Sequence, residues 1–235
     1  MVFRGVRFAR PVAGGLPHDF GRSRFAEIPT VLSVKVERMV RNTRGQVSEA
    51  RSRLLATATR IFYAEGLHSV GIDRIVAEAK VTRATLYRHF PSKEDLVVAY
   101  LQGVHEMERE GLDKALAAGL PAVDTLRAVA ESIAEGIRSA HFRGCAFLNA
   151  VAEYPDPAHP VHQAVLAHRE WFRRTVTDLL AQVGETPPEP AGRHFVMLRD
   201  GAMASGCLSD PAQVCDTFLQ GVDGIVRFRL DAAAK

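Results

Sequence analysis

From Ala50 onward the apolar residues recur every three or four positions, and no stretch shows the strict alternation of a half-buried strand. Leu54, Ala58, Ile61 and Phe62 share one helical face while Arg51, Arg53 and Arg60 lie off it, which predicts an amphipathic helix closed by Gly66. A short second helix is expected from Ile72 to Ala79, with Ile72, Ile75, Val76 and Ala79 as its buried face. After a tight joint at Lys80 and Val81, Thr82 is a good N-cap for a third helix ending near Phe90, and Pro91 stops it. Ser92 and Asp95 have the spacing of a capping box, with Asp in place of the usual Glu or Gln. They open a long helix through Leu96, Val97, Tyr100, Leu101 and Val104 to about Leu120.

The period continues to the end of the chain. Helices are expected over 123–140, over a short apolar stretch at 145–152, from about His159 to Val183, and over 191–208 and 211–230. The breaks between them fall at Tyr154, Pro155, Asp156 and Pro157 and at Pro187, Pro188 and Pro190. The fold class is therefore all-α from residue 46 onward. Residues 1–45 mix Gly, Pro and Arg with isolated phenylalanines and keep no period, so they are expected to be a mostly disordered extension. That extension is either a basic arm that tracks DNA or a dispensable segment upstream of a later start such as Met39.

Composition adds limits rather than detail. The 235 residues are 47% hydrophobic and 24% charged, enough for a sizeable core. No apolar run approaches the roughly 20 residues of a membrane span. Pro11, Gly14, Gly15 and Pro17 interrupt what would have to be a secretory apolar core, so export is not expected. Cys145, Cys207 and Cys215 are too few for a disulfide framework and suit a reducing, cytoplasmic setting. The net charge of +3 hides a gradient: residues 1–45 hold nine Lys/Arg against three Asp/Glu, residues 46–98 eight against six, and residues 99–235 13 against 18. A basic front and an acidic remainder suit a chain whose N-terminal part alone meets a polyanion.

The second and third helices form a helix-turn-helix pattern. The third opens with Thr82, Arg83, Ala84 and Thr85, and its N-terminal half can enter the major groove, where Arg bonds guanine in bidentate fashion and Thr meets a base edge or a thymine methyl. Leu86 and Phe90, spaced i, i+4, would anchor it, leaving Arg83, Thr85, Tyr87 and His89 towards solvent or DNA.

From Arg51 to Leu101 the sequence closely resembles the tetracycline-repressor (TetR) family of bacterial transcriptional regulators. The resemblance rests on the segments 56–66, 71–79, 81–90 and 92–96, above all on Leu86-Tyr87-Arg88-His89-Phe90 followed by Ser92-Lys93-Glu94-Asp95-Leu96. Two departures are Gly71, where the family usually has Ser or Thr, and Lys80, where it usually has Gly. The resemblance implies a three-helix DNA-binding domain over 46–98 and a helical effector-binding and dimerisation domain over 99–235. It implies that Thr82, Tyr87 and His89 grip phosphates or adjacent bases and that Lys93, at a helix N-terminus, meets a phosphate. Arg83 and Thr85 are the expected base readers, while Arg88 could equally pair with Glu94 or Asp95.

The same resemblance implies a homodimer and a ligand pocket in the C-terminal helices, with a small-molecule effector releasing a repressor from a palindromic double-stranded DNA operator. Candidate pocket residues, chosen for apolar bulk with a few polar atoms, are Phe147, Asn149, His168, Trp171, Phe172, Phe195, Met197 and Met203. Candidate interface residues on the last two helices are Ala202, Gly206, Val214, Phe218, Val222 and Ile225. A DNA-binding regulator controlled by a protein partner is the alternative. An enzyme is not expected, since nucleophile-elbow, phosphate-loop, zincin and dinucleotide motifs are absent. No cofactor is expected. His159, His162 and His168 near Asp156 are too loosely spaced for a tight metal set, and the three cysteines are expected to be inert rather than a redox switch.

Overall fold

The computed structural model describes residues 48–233, with side chains to Asp231, so the basic extension over 1–45 lies outside the described residues. The described residues form helices and no strand: α1 (Glu49–Glu65), α2 (Ile72–Glu78), α3 (Arg83–His89), α4 (Lys93–Ala117), α5 (Ala122–Arg138), α6 (Ala146–Glu153), α7 (Pro160–Ala181), α8 (Glu189–Ser205) and α9 (Pro211–Ala233). The ends follow local chemistry. Gly66 closes α1 at φ 94°, and Ser92 and Asp95 form a complete reciprocal capping box at the start of α4. The carboxylate of Asp95 is shorter than Glu by one carbon and still reaches the Ser92 amide at 3.0 Å. Among the described residues no helix is long and apolar enough to cross a membrane.

Two buried clusters organise the packing. The first joins Leu54, Ile61, Phe62, Ile75, Leu86 and Phe90 of α1–α3 to Leu96–Val104 of α4, and continues into Phe147, Ala150 and Val165 of α6 and α7. The second lies between α5, α7, α8 and α9 and contains Leu126, Ile137, Val176, Phe195, Phe218 and Val222. The sequence division between residues 98 and 99 thus falls inside α4, and the apolar packing runs across it without a break.

One charged residue is buried as part of the scaffold. Arg229 of α9 is 1% exposed and donates to the carbonyls of Leu180, Gly184, Thr186 and Pro187 and to the Thr186 hydroxyl, at 2.7–3.2 Å. A guanidinium has five N–H groups in a planar fork, and here they satisfy backbone acceptors left over at the C-terminal end of α7. The contact is too close for a side chain on the facing residue: a Cβ at Gly184 would lie 2.6 Å from the Arg229 carbonyl oxygen.

Candidate functional site

The turn between α2 and α3 is a Schellman closure. The Val81 amide donates to the Val76 carbonyl at 3.1 Å and the Lys80 amide to Ala77 at 3.2 Å, which needs a left-handed residue between them. Lys80 supplies it at φ 53°. A side chain there costs roughly 1 to 2 kcal/mol, and the buried neighbours Ile75, Val76, Ala79 and Leu86 hold the turn against that strain. The departure at Lys80 therefore leaves the turn itself intact.

Thr82 then caps α3, its Oγ1 accepting from the Thr85 amide at 3.1 Å and lying 3.0 Å from the Thr85 hydroxyl. Leu86 and Phe90 are buried, and Arg83, Ala84, Tyr87 and Arg88 are exposed. Tyr87 is 47% exposed although it is aromatic. His89 is half-buried, and its Nε2 has no hydrogen-bond partner. Lys93 is half-buried too; its Nζ lies 3.4 Å from the His68 carbonyl, and burial pushes the amine's pKa down against the opposing pull of Glu94 and Glu153. Asp95 is engaged in the capping box rather than with Arg88.

Arg83 is not idle in this state. Its guanidinium forks onto Asp73 in the first turn of α2, and that hydrogen bond holds the Asp73 carboxyl below the usual carboxylate range. Spacing within one helix does not reveal this pair, because it crosses the turn. Arg51 of α1, half-buried with its guanidinium 5.0 Å above the Phe90 ring, is a second cation beside α3, which the sequence placed only off the apolar face of its own helix.

A second site lies in the interior, where α6, α7 and α8 meet α4. A narrow cavity there is lined by Phe147, Val165, His168, Phe172, Val196 and Arg199, among others. His168 stacks on Phe147 with ring centroids 3.5 Å apart, and its Nδ1 lies 3.1 Å from Nδ1 of His105. Burial, with Arg199 second, pushes the His168 pKa down to about 3, so the ring is neutral at neutral pH. Arg199 is 5% exposed and lies 5.0 Å over Phe172. Its pair with Asp200 spans 3.4 Å, that with Glu108 3.6 Å, and Cys145 Sγ is 3.7 Å away. Nε of Arg199 and Nε2 of His168 have no hydrogen-bond partner.

Of the sequence-selected pocket residues, Phe147, His168 and Phe172 line this cavity and Trp171 touches its edge through His168, at 5.5 Å between centroids. Phe195 belongs instead to the second core, and Met203 packs between both cores. Asn149 donates to the Arg143 carbonyl at 2.9 Å, holding the loop before α6. Met197 is a correction: it is 67% exposed on the outer face of α8 and cannot line an interior cavity. Arg199 was missed; an arginine one turn beyond Phe195 within an apolar helix is the signal that could have found it.

Three of the six interface residues need correction. Ala202, Phe218 and Val222 are consumed by the protomer's own core, so they have no surface to offer a partner. Gly206 is packed against Ile137 and Phe142, and Val214 and Ile225 are half-buried against the second core. The outward side of α8 and α9 carries other residues: Met197, Phe228 (72% exposed) and Leu230, beside Gly201, Ala204 and Gly224, with Leu208 (85% exposed) in the connection between the two helices.

Side chains join the two sites. Glu153, at the end of α6, accepts from the Leu67 amide at 2.8 Å and the His68 amide at 2.6 Å, in the loop between α1 and α2. Tyr63 of α1 donates to the Gly144 carbonyl at 3.1 Å and accepts from the Arg143 amide at 3.0 Å, just before α6. Short α6 thus carries a cavity wall, Phe147, and a clamp on the helix-turn-helix.

The histidines considered for metal are otherwise employed. His159 Nδ1 accepts from the Val161 amide and His162 Nδ1 lies 2.8 Å from the Tyr154 carbonyl. Among the described residues no group of His, Cys, Asp and Glu could hold a metal ion, and Cys145, Cys207 and Cys215 are free thiols.

Comparison with known proteins matches this geometry. The family model of bacterial regulatory proteins, tetR family, covers residues 54–100. HTH-type transcriptional regulator TtgR of Pseudomonas putida is 38% identical over 68 residues, 29% of this chain and 32% of that protein. HTH-type transcriptional activator FasR of Mycolicibacterium smegmatis is 36% identical over 84 residues, 36% of this chain and 38% of that protein. The chain thus spans about a third of the length of these curated relatives. The crystal structure of SCO4454, a TetR-family transcriptional regulator from Streptomyces coelicolor, is matched far more fully, at 66% identity and a TM-score of 0.76, covering 77% of this chain and 96% of that one. A helix-turn-helix head on an all-helical body, shared nearly end to end with that structure, means that the chain belongs to the TetR family of bacterial transcriptional regulators and is a DNA-binding protein.

Proposed function

We propose that the chain is a ligand-responsive repressor that binds a palindromic operator as a homodimer in the bacterial cytoplasm. In this reading residues 46–98 form the DNA-binding head and residues 99–235 the effector-binding and dimerisation body. The observation that carries it is the partition of α3, with Leu86 buried beneath an exposed stripe of Arg83, Tyr87 and Arg88. Such a helix is held rigid by one side and presents the other to a groove. Arg83 and Thr85 read bases; Thr82, Tyr87, His89 and Lys93 position the backbone. The exposed apolar residues of α8 and α9 pair with a second copy, which sets the spacing of the two reading helices.

The effector enters the cavity at Phe147, His168 and Arg199. Opening that cavity displaces α6, and the Glu153 clamp passes the displacement to the α1–α2 loop. Footprinting over the promoter of the chain's own gene, with a salt series, tests the DNA part. Protection of an inverted repeat, lost with Arg83→Ala, is expected; protection independent of sequence would refute it. A second reading, activation, has specific support in the relative named an activator, FasR. A footprint upstream of the promoter instead of across it would favour activation.

A further inference from the structure

Two arginines line the interior cavity, and the carboxylates that pair with them stand outside its lining. Two cations, Arg169 and Arg199, face two carboxylates, Glu108 and Asp200. The Arg169–Asp200 pair is tight at 2.5 Å, whereas Arg199 stands 3.4 Å from Asp200 and 3.6 Å from Glu108. His168 adds no charge at neutral pH. A buried guanidinium normally spends its N–H groups on oxygen, yet Nε of Arg199 meets none, and Nε2 of His168, 3.6 Å from the Glu108 carboxylate, makes no hydrogen bond in the same cavity. The remaining wall is apolar and aromatic: Phe147, Val165, Phe172 and Val196.

Taking this cavity to be the effector site, as proposed above, we infer that it selects an uncharged, apolar molecule bearing one oxygen acceptor of the ketone or ester class, held by Arg199 Nε–H, with His168 as the second polar contact. An anionic ligand is disfavoured because Glu108 and Asp200 already balance the two arginines, so a third carboxylate would be buried without a counter-ion. A pure hydrocarbon is disfavoured because it would leave the Arg199 Nε–H unmet. The size of the cavity matters as well: any such guest must part the Phe147–His168 stack, so occupancy and movement of α6 are one event.

Three probes of similar size separate the possibilities in the full-length chain: acetophenone, benzoate and ethylbenzene. Binding is followed by chemical-shift changes of the methyl groups of Leu148, Val165 and Val196 during titration at neutral pH. Acetophenone is expected to bind roughly tenfold more tightly than ethylbenzene, and benzoate most weakly. Arg199→Lys keeps the charge and removes the Nε–H; it should bring acetophenone down to the level of ethylbenzene. Should that variant fail to fold, the ranking in the unmodified chain decides alone. Benzoate or ethylbenzene binding as well as acetophenone would overturn the assigned ligand class and leave the effector cavity standing. No methyl response to any probe up to its solubility would overturn the cavity reading and the ligand class with it.

Discussion

Arg83 at the first position of α3 forks onto Asp73 in the first turn of α2, so the residue proposed to read a base is held by a carboxylate of the supporting helix. If Arg83 reads a base as proposed, DNA takes this guanidinium from Asp73, and guanine offers the same two-acceptor geometry as the carboxylate it replaces. Asp73→Asn should leave thermal stability nearly unchanged, because the pair is exposed. It should raise affinity for non-operator DNA and so narrow the discrimination between operator and scrambled duplex, measured by fluorescence anisotropy. An unchanged ratio would mean that Asp73 has no part in readout.

The buried guanidinium of Arg229 predicts the largest single loss of stability. Arg229→Met leaves the carbonyls of Leu180, Gly184, Thr186 and Pro187 without their donor, at a cost of about 3 to 5 kcal/mol in urea unfolding. Arg229→Lys should recover only a minor part, since three rotating donors on one nitrogen cannot reach acceptors arranged for a fork.

Glu153→Gln tests the connection between head and body. The neutral amide weakens two charge-assisted bonds to the Leu67 and His68 amides, for about 1 to 3 kcal/mol of stability. The more telling readout is hydrogen exchange: the amides of Leu67 and His68 should lose protection while those of α9 keep theirs. Equal loss in both would make Glu153 an ordinary structural residue.

Acid should act through His168. Its folded pKa of about 3 lies below the unfolded value of 6.5, so the unfolded chain takes up the proton first. The contribution of this residue to stability is complete above pH 6.5 and falls as pH drops towards 3, by about 2 kcal/mol between pH 7 and 5. Replacing His168 with Gln should flatten that part of the stability profile. A profile that keeps its slope in the variant would assign the dependence to other groups.

Phe228→Glu places a charge on the outer face of α9, where Phe228 is 72% exposed. Sedimentation should show a monomer with unchanged helicity and strongly reduced operator affinity. A dimer that survives would move the interface elsewhere.

These outcomes bear on how much the sequence discloses. The turn chemistry at Gly66, Thr82, Pro91 and the Ser92–Asp95 box is local, and each of those expectations matches an observed helix end. On α9 the period marks Val214, Phe218, Val222, Ile225 and Phe228 as apolar without revealing which way each faces. The structure turns Phe218 and Val222 inward and leaves Phe228 outside, a distinction that depends on where α5 and α8 lie. Glu153 is invisible for a different reason: its partners are backbone amides 85 and 86 residues away, and amides carry no sequence signature. Arg199 and Arg229 look like surface charges until the packing encloses them.

The capping box that starts α4 makes the reading helix and the long helix meet at a fixed elbow. His105 and Glu108, beside the cavity, lie 12 and 15 residues along α4 from Lys93, so the arm between cavity and elbow is about 18 to 22 Å long. A tilt of about 5° at the inner end would swing the elbow by roughly 1.5 to 2 Å, a distance comparable to the difference between a made and a broken hydrogen bond. In the proposed mechanism a stiff corner would convert a small internal widening into a change of footing on the duplex, and softening it, as Ser92→Gly would, should leave the two ends free to move without each other.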